Sequence, residues 1–99
     1  MPKFGKRSEK NLGEAHSDLR VIFLEVIKYF DCTIIDGHRP EVEQTKAFLK
    51  GFSAVEWPNS KHNSQPSMAV DALPYPVDWK DTDRMRYFAG FVVAIAHRL

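Results

Sequence analysis

His62 and Asp71 are the two residues whose types and setting could do chemistry together. His62 sits in a Ser/Asn/Pro-rich run, Ser60-Lys61-His62-Asn63-Ser64-Gln65-Pro66-Ser67. Asp71 sits inside the apolar run Met68-Ala69-Val70-Asp71-Ala72-Leu73. That second run reads as a buried strand, on which Asp71 shares a face with Ala69 and Leu73 because side chains alternate. An ionised carboxylate on such a face is costly unless it is paired or bound to a metal. The loop is long enough to fold back and set the imidazole beside the carboxylate, and histidine plus carboxylate is the beginning of a zinc site. The same residues also fit a plainer arrangement, an aspartate that caps a turn or meets an arginine, with an exposed loop histidine. Spacing alone favours the plainer one.

Elements upstream and downstream must hold this pair. Residues 1–10 read as a loose or docked arm. Leu12, Ala15, Leu19, Ile22, Phe23, Val26 and Phe30 then recur in steps of three and four, the mark of an amphipathic helix. Ser17 and Asp18 supply a cap for a restart near His16. Cys32–Asp36 is a short β-prone run closed by Gly37. Pro40 suits the first turn of a following helix, with Glu41 and Glu43 near its positive end. Val42, Thr45, Phe48 and Leu49 form its expected buried stripe, and Gly51 is a natural C-cap residue. Residues 52–67 have no sustained period and read as a long loop, a kind of segment that is often functional. A strand over 68–73 follows, and Pro74-Tyr75-Pro76 forces an extended exit. Asp81 or Thr82 caps a last helix with apolar positions Met85, Phe88, Ala89, Val92, Ala96 and Leu99. Phe91, Val93 and Ile95 widen that surface nearly all round, the pattern of a helix covered on several sides.

Ninety-nine residues make one domain with a modest core. A formal net charge of +1 says little about partners, and no nucleic-acid partner is expected, although a basic start could favour an anionic surface such as a cell wall or nucleic acid. Lys3, Lys6, Arg7 and Lys10 make the start locally basic, which is ordinarily a solvated feature. The one cysteine, Cys32, forms no internal disulfide and reads as a small buried hydrophobe. No apolar run follows the basic start, so no signal peptide is expected. The stretch from Tyr87 to Ala96 is too short to span a bilayer and contains Gly90, so no membrane insertion is expected. The expected location is cytoplasmic until another factor releases the chain.

The order of helix, strand, Gly37-His38-Arg39-Pro40, helix, long loop, Ser60-Lys61-His62, Ala69-Val70-Asp71 and Pro74-Tyr75-Pro76-Val77-Asp78-Trp79 resembles a known family. It is that of zinc peptidases cutting peptidoglycan peptides, among them D-Ala-D-Ala carboxypeptidases and phage L-alanyl-D-glutamate endopeptidases. The likeness is nearest to the phage endolysins; it is specific over residues 60–79 and diffuse elsewhere. It implies an α+β fold, with helices packed on a small antiparallel sheet and the metal at the sheet's end. It also implies zinc, with His62 and Asp71 as ligands. Arg39 takes the place of the arginine that grips the substrate carbonyl, a task suited to a permanently charged guanidinium. Gln44 matches a polar, substrate-binding position near the site. Ser60 matches a residue that hydrogen-bonds within it and steadies its geometry. Each has an ordinary alternative: Arg39 paired with Asp36 or a helix carboxylate, and Gln44 solvated on its helix. His38, His16 and His97 read as loop and helix-end residues. Trp57 and Trp79 flank the motif; lining the peptide groove and packing are both open to them, with packing the favoured role.

The sequence departs from the family at one point. A catalytic zinc ordinarily has three protein ligands. The resemblance implies a further histidine and a glutamate base in a C-terminal segment, and the expectation is that this segment is truncated, lost or supplied by another polypeptide. No Glu follows Glu56, and the only later histidine is His97. The expectation is therefore a single peptidase-like domain over residues 1–99 that lacks the C-terminal catalytic segment, binds zinc weakly and hydrolyses little by itself. The activity implied is L-alanyl-D-glutamate endopeptidase action on the peptidoglycan stem peptide, with a holin as the partner that releases the protein. The alternatives are a D-Ala-D-Ala carboxypeptidase and a non-catalytic wall-binding module of the same fold.

Overall fold

The computed structural model describes residues 2–99. Helices α1 (Lys6–Gly13) and α2 (Ser17–Val26) precede strand β1 (Cys32–Asp36). Helix α3 (Glu41–Leu49), a 3-10 turn (Lys61–Asn63), strand β2 (Asp71–Pro74) and helix α4 (Thr82–Arg98) follow. The architecture is α+β, as expected: helices cover a two-stranded antiparallel sheet.

The expected break near His16 is present. Its cap is His16 itself, whose Nδ1 accepts the Asp18 N–H at 3.1 Å, rather than Ser17 or Asp18. Of the two readings of the arm the docked one holds, and residues 6–10 are helical, as part of α1. Ser8 Oγ accepts the Ile34 N–H at 3.1 Å, and Asn11 Nδ2 donates to the carbonyls of Ile34 and Ile35 at 2.9 and 3.1 Å. These bonds satisfy β1 on the edge that β2 does not reach, where an unpaired backbone would otherwise be a liability.

The core holds Leu12, Phe23, Val26, Ile27, Cys32, Ile34, Phe88 and Ile95. Val26 and Ile34 are fully buried, each worth about 1.5–3 kcal/mol by transfer from water. Phe30 closes the α2–α4 contact edge-on to Phe88, with ring centroids 5.1 Å apart. Cys32 is buried, and burial pushes its thiol up to about 12. Helix α4 starts at the Asp81 cap, whose Oδ1 accepts the Arg84 N–H at 3.1 Å. Its apolar surface is covered only along a seam through Phe88, Phe91, Val92 and Ile95, while Tyr87 and Val93 stay exposed.

Two sequence expectations fail locally. Strand β2 begins at Asp71 rather than Met68, and Met68 is half-exposed. Val70 and Ala72 pack on the core, so Asp71 and Leu73 take the other face, toward a cleft. In α3 the expected stripe is inverted: Val42 and Leu49 are exposed, and Gln44 is the one buried residue. The helix ends as expected at Gly51, which has φ of +78° just past the C-cap Lys50. Gly51 N–H bonds the Phe48 carbonyl and Phe52 N–H bonds the Ala47 carbonyl, closing a Schellman motif.

Candidate functional site

The 3-10 turn that carries His62 is built by its own sequence. Ser60 Oγ accepts the His62 N–H at 3.2 Å, and Asn63 Oδ1 accepts the Ser60 N–H at 2.9 Å, a reciprocal capping box. The turn is then tied to the start of α3. Arg39 N–H donates to the His62 carbonyl at 2.7 Å, and Asn63 Nδ2 donates to the Arg39 carbonyl at 2.8 Å. Ser67 N–H bonds the Glu14 carbonyl and His16 N–H bonds the Ser67 carbonyl, so the rest of the loop is pinned to the α1–α2 break. Arg39 and His62 thus reach one place from segments 23 residues apart.

The His62 ring is buried and oriented from both sides. Nδ1 lies 2.8 Å from the Gly37 carbonyl oxygen, which can only accept, so Nδ1 carries hydrogen. Nε2 faces Asp71 Oδ1 at 3.4 Å. Asp71 is about half-exposed, not buried as the strand reading implied, because it is the first residue of β2. The bond to Asp71 raises the His62 pKa against the opposing effect of burial, and the Gly37 carbonyl adds to the rise. The same contact with His62 lowers the Asp71 pKa.

Arg39 connects the pair to the sheet. Asp36 and Asp71 stand opposite each other across the strands, an unfavourable pairing of like charges. Arg39 Nη2 lies 3.0 Å from Asp36 Oδ2 and 3.2 Å from Asp71 Oδ2 and bridges the two, offsetting part of their repulsion. Its Nε donates to Asp36 Oδ2 at 3.0 Å, and Nη1 donates to Gln44 Oε1 at 2.9 Å. The second Nη1 hydrogen has no partner among the described residues. The ordinary alternative for Arg39, pairing with Asp36, is therefore realised together with the contact to Asp71.

These groups border a cleft of about 810 Å³ lined by Ile35, Arg39, Phe52, Asp71, Leu73 and Trp79, among others. Phe52 and Trp79 are largely exposed, so Trp79 is a wall residue rather than a packed one. Trp57 lies apart, beside Thr45 and Phe48.

Imidazole and carboxylate are both groups of the kind that ligate metal ions. A direct charged hydrogen bond is ordinarily about 2.7–2.9 Å long, shorter than the His62–Asp71 gap. Two tetrahedral zinc ligands, nitrogen and oxygen, lie roughly 3.3–3.5 Å apart. The observed 3.4 Å is compatible with a long His62–Asp71 contact and with the second case alike. His62 and Asp71 could thus share one ion through Nε2 and Oδ1, with Nδ1 and Oδ2 held by Gly37 and Arg39. Among the described residues, no group of three or more His, Cys, Asp or Glu side chains is placed to hold a metal.

Residues 1–99 match the family model of the phage L-alanyl-D-glutamate peptidases. The chain belongs to that family. It is 31% identical over 87 residues to the L-alanyl-D-glutamate peptidase of Escherichia phage T5, an alignment taking in 82% of this chain. The chain spans 62% of the length of that relative. Its fold also matches the crystal structure of the Serratia marcescens L-Ala D-Glu endopeptidase ChiX, with a TM-score of 0.69 and 22% identity. That match covers 97% of this chain and 70% of ChiX.

In this member of the phage L-alanyl-D-glutamate peptidase family, the residues singled out in the sequence fall into three groups. His62, Asp71 and Arg39 meet at the cleft. Ser60 accepts the His62 backbone N–H instead of lining the cleft. Gln44 lies behind Arg39 with no exposure, so it is not solvated on its helix. Sequence reasoning missed Gly37 and Asn63 as parts of the site. Only Asn63 had a local signal, the Ser60-x-x-Asn63 spacing of a capping box.

Proposed function

We propose that this chain supplies two zinc ligands and a carbonyl-gripping arginine to an L-alanyl-D-glutamate endopeptidase acting on peptidoglycan stem peptides. The observation that carries the proposal is the His62 Nε2–Asp71 Oδ1 spacing of 3.4 Å, with the outer atoms of both side chains already engaged. Family membership supports the substrate class, and both relatives named above are described as peptidases of this bond.

The chemistry that bound zinc supplies is polarisation of the scissile carbonyl and acidification of a water molecule. The chain's own residues do the rest. Gly37 fixes the His62 tautomer, leaving the Nε2 lone pair for the ion once its proton is displaced. Arg39 holds Asp71 Oδ2, so that Oδ1 points at the same place. The free Nη1 hydrogen of Arg39 can meet the peptide carbonyl oxygen as negative charge develops on it. Such a donor, fixed in advance, is worth about 10²–10³ in rate. Phe52 and Trp79 give the peptide an apolar wall. The same reading implies synthesis in the cytoplasm and access to the wall through a holin.

Equilibrium dialysis against zinc tests the ligand assignment. The wild type should bind one ion per chain, and His62→Ala and Asp71→Ala should each lose most of that binding. Equal binding by all three proteins would sink it. The bond is identified on purified muropeptides: L-alanyl-D-glutamate cleavage frees the amino group of D-Glu, whereas loss of terminal D-Ala would assign the protein to carboxypeptidase chemistry.

A further inference from the structure

We propose that Gln44 is the positioning residue of this site: it fixes Arg39 relative to His62 from inside the protein, without touching substrate. The inference rests on the reading of the cleft just given. A glutamine amide has two donor hydrogens and two acceptor positions. In Gln44 all four are used, at zero exposure. Oε1 accepts from Arg39 Nη1 at 2.9 Å and from Asn63 Nδ2 at 3.2 Å. Nε2 donates to Ser53 Oγ at 2.9 Å and to the Val55 carbonyl at 2.8 Å. The amide has one workable orientation, because reversing it would set its NH2 against the guanidinium and the Asn63 NH2.

Those partners come from three segments that form the cleft region. Arg39 belongs to the β1–α3 connection, and Asn63 to the turn that carries His62. Ser53 and Val55 belong to the loop directly after Phe52, a wall of the cleft. Asn63 Nδ2 also bonds the Arg39 carbonyl, so the Gln44 amide and the Arg39 backbone share one donor group. No single backbone contact joins all three segments. Their common point is the Gln44 side chain, projected from α3 where the helix turns a polar rather than an apolar residue inward. A buried network of this kind holds one geometry when every member is satisfied and loses it when one is removed.

Two variants separate positioning from general support. Gln44→Met keeps the volume and removes all four bonds. Gln44→Glu keeps acceptors for Arg39 and Asn63 but removes the donors to Ser53 and Val55. Nitrogen-15 NMR of the whole chain reads the Arg39 guanidinium, whose N–H signals are resolved and protected from exchange while the group is held. The wild type and Gln44→Glu should show them, and Gln44→Met should show them averaged or lost. Zinc affinity of Gln44→Met should fall by about tenfold or more through the shifted His62 turn. Folded Gln44→Met with wild-type Arg39 signals would overturn the proposal. If Gln44→Met does not fold, Gln44→Glu decides: loss of the Arg39 signals in that folded variant would mean that Gln44 merely staples the Ser53 loop. Failure of the wild type to bind zinc counts against the metal reading, while the Arg39 signals still decide this one.

Discussion

Replacing Gly37 by alanine should damage fold and site together. The Gly37 backbone is not in the left-handed region, so alanine can adopt its conformation. By unfolded-state entropy alone, alanine would stabilise by about 0.4–1 kcal/mol. Space decides against it. A Cβ would lie 3.0 Å from the Asn11 carbonyl carbon, 3.2 Å from Glu14 Oε1 and closer still to the Asn11 carbonyl oxygen. Helix backbone cannot swing aside like a side-chain tip, so α1 and the Gly37 turn must separate by roughly an ångström, an overpacking cost of about 1–3 kcal/mol. That shift also stretches the two Asn11 bonds to Ile34 and Ile35, worth about 1 kcal/mol each. The net loss is about 2–4 kcal/mol, which lowers the melting temperature of a domain this size by at least about 8 °C. The Gly37 carbonyl also orients His62, so zinc affinity should fall by about 10–100-fold. Urea unfolding with and without zinc, beside equilibrium dialysis, measures both effects. An unchanged midpoint and unchanged zinc binding in Gly37→Ala would refute the claim that this close approach sets the site.

Other outcomes follow from the same geometry. Without metal, the His62–Asp71 pair gives a shallow stability maximum between the ordinary values of 3.8 for Asp71 and 6.5 for His62. The raised His62 contributes fully below 6.5 and is lost as pH rises through its folded pKa. The lowered Asp71 contributes fully above 3.8 and is lost as pH falls through its folded pKa. Urea midpoints across pH 3–9 should show both limbs in the wild type, and His62→Ala should flatten them. Zinc competes with the His62 proton, so its affinity should rise with pH through that raised pKa. Arg39→Lys should keep the fold but lose the fork to Asp36, Gln44 and Asp71, with any muropeptide hydrolysis down about 10²–10³-fold and zinc binding largely retained. Cys32, buried with its thiol pushed up to about 12, should resist thiol reagents at pH 8 until urea unfolds the chain.

Much of the fold was legible because it is written in local patterns. The β-prone run at Cys32–Asp36, the Asp81 cap and the Gly51 terminus each depend on a few neighbouring residues, and each appears where expected. Burial was read less well. In α3 the apolar positions Val42 and Leu49 suggested an inward stripe, yet they face outward and Gln44 faces inward. Periodicity gives the width of an apolar face; it does not say which neighbour covers that face. The start of β2 was misplaced for a related reason. Met68 to Val70 have strand-like composition, but Met68 N–H bonds the Lys61 carbonyl and Ser67 pairs with the α1–α2 break, so those residues belong to the loop's own closure.

The sequence by itself determined the chemical types of the site: an imidazole, a carboxylate and a guanidinium in a motif specific enough to name a family. It also determined the turn that presents His62, since Ser60 and Asn63 cap it within four residues. The tertiary structure decided the distances. It set Nε2 and Oδ1 3.4 Å apart, laid Arg39 between two opposed aspartates, and made the Gly37 carbonyl and the Gln44 amide the fixed points of the arrangement. Those relations join residues up to 32 positions apart, and they depend on helix-to-sheet packing that no local spacing encodes.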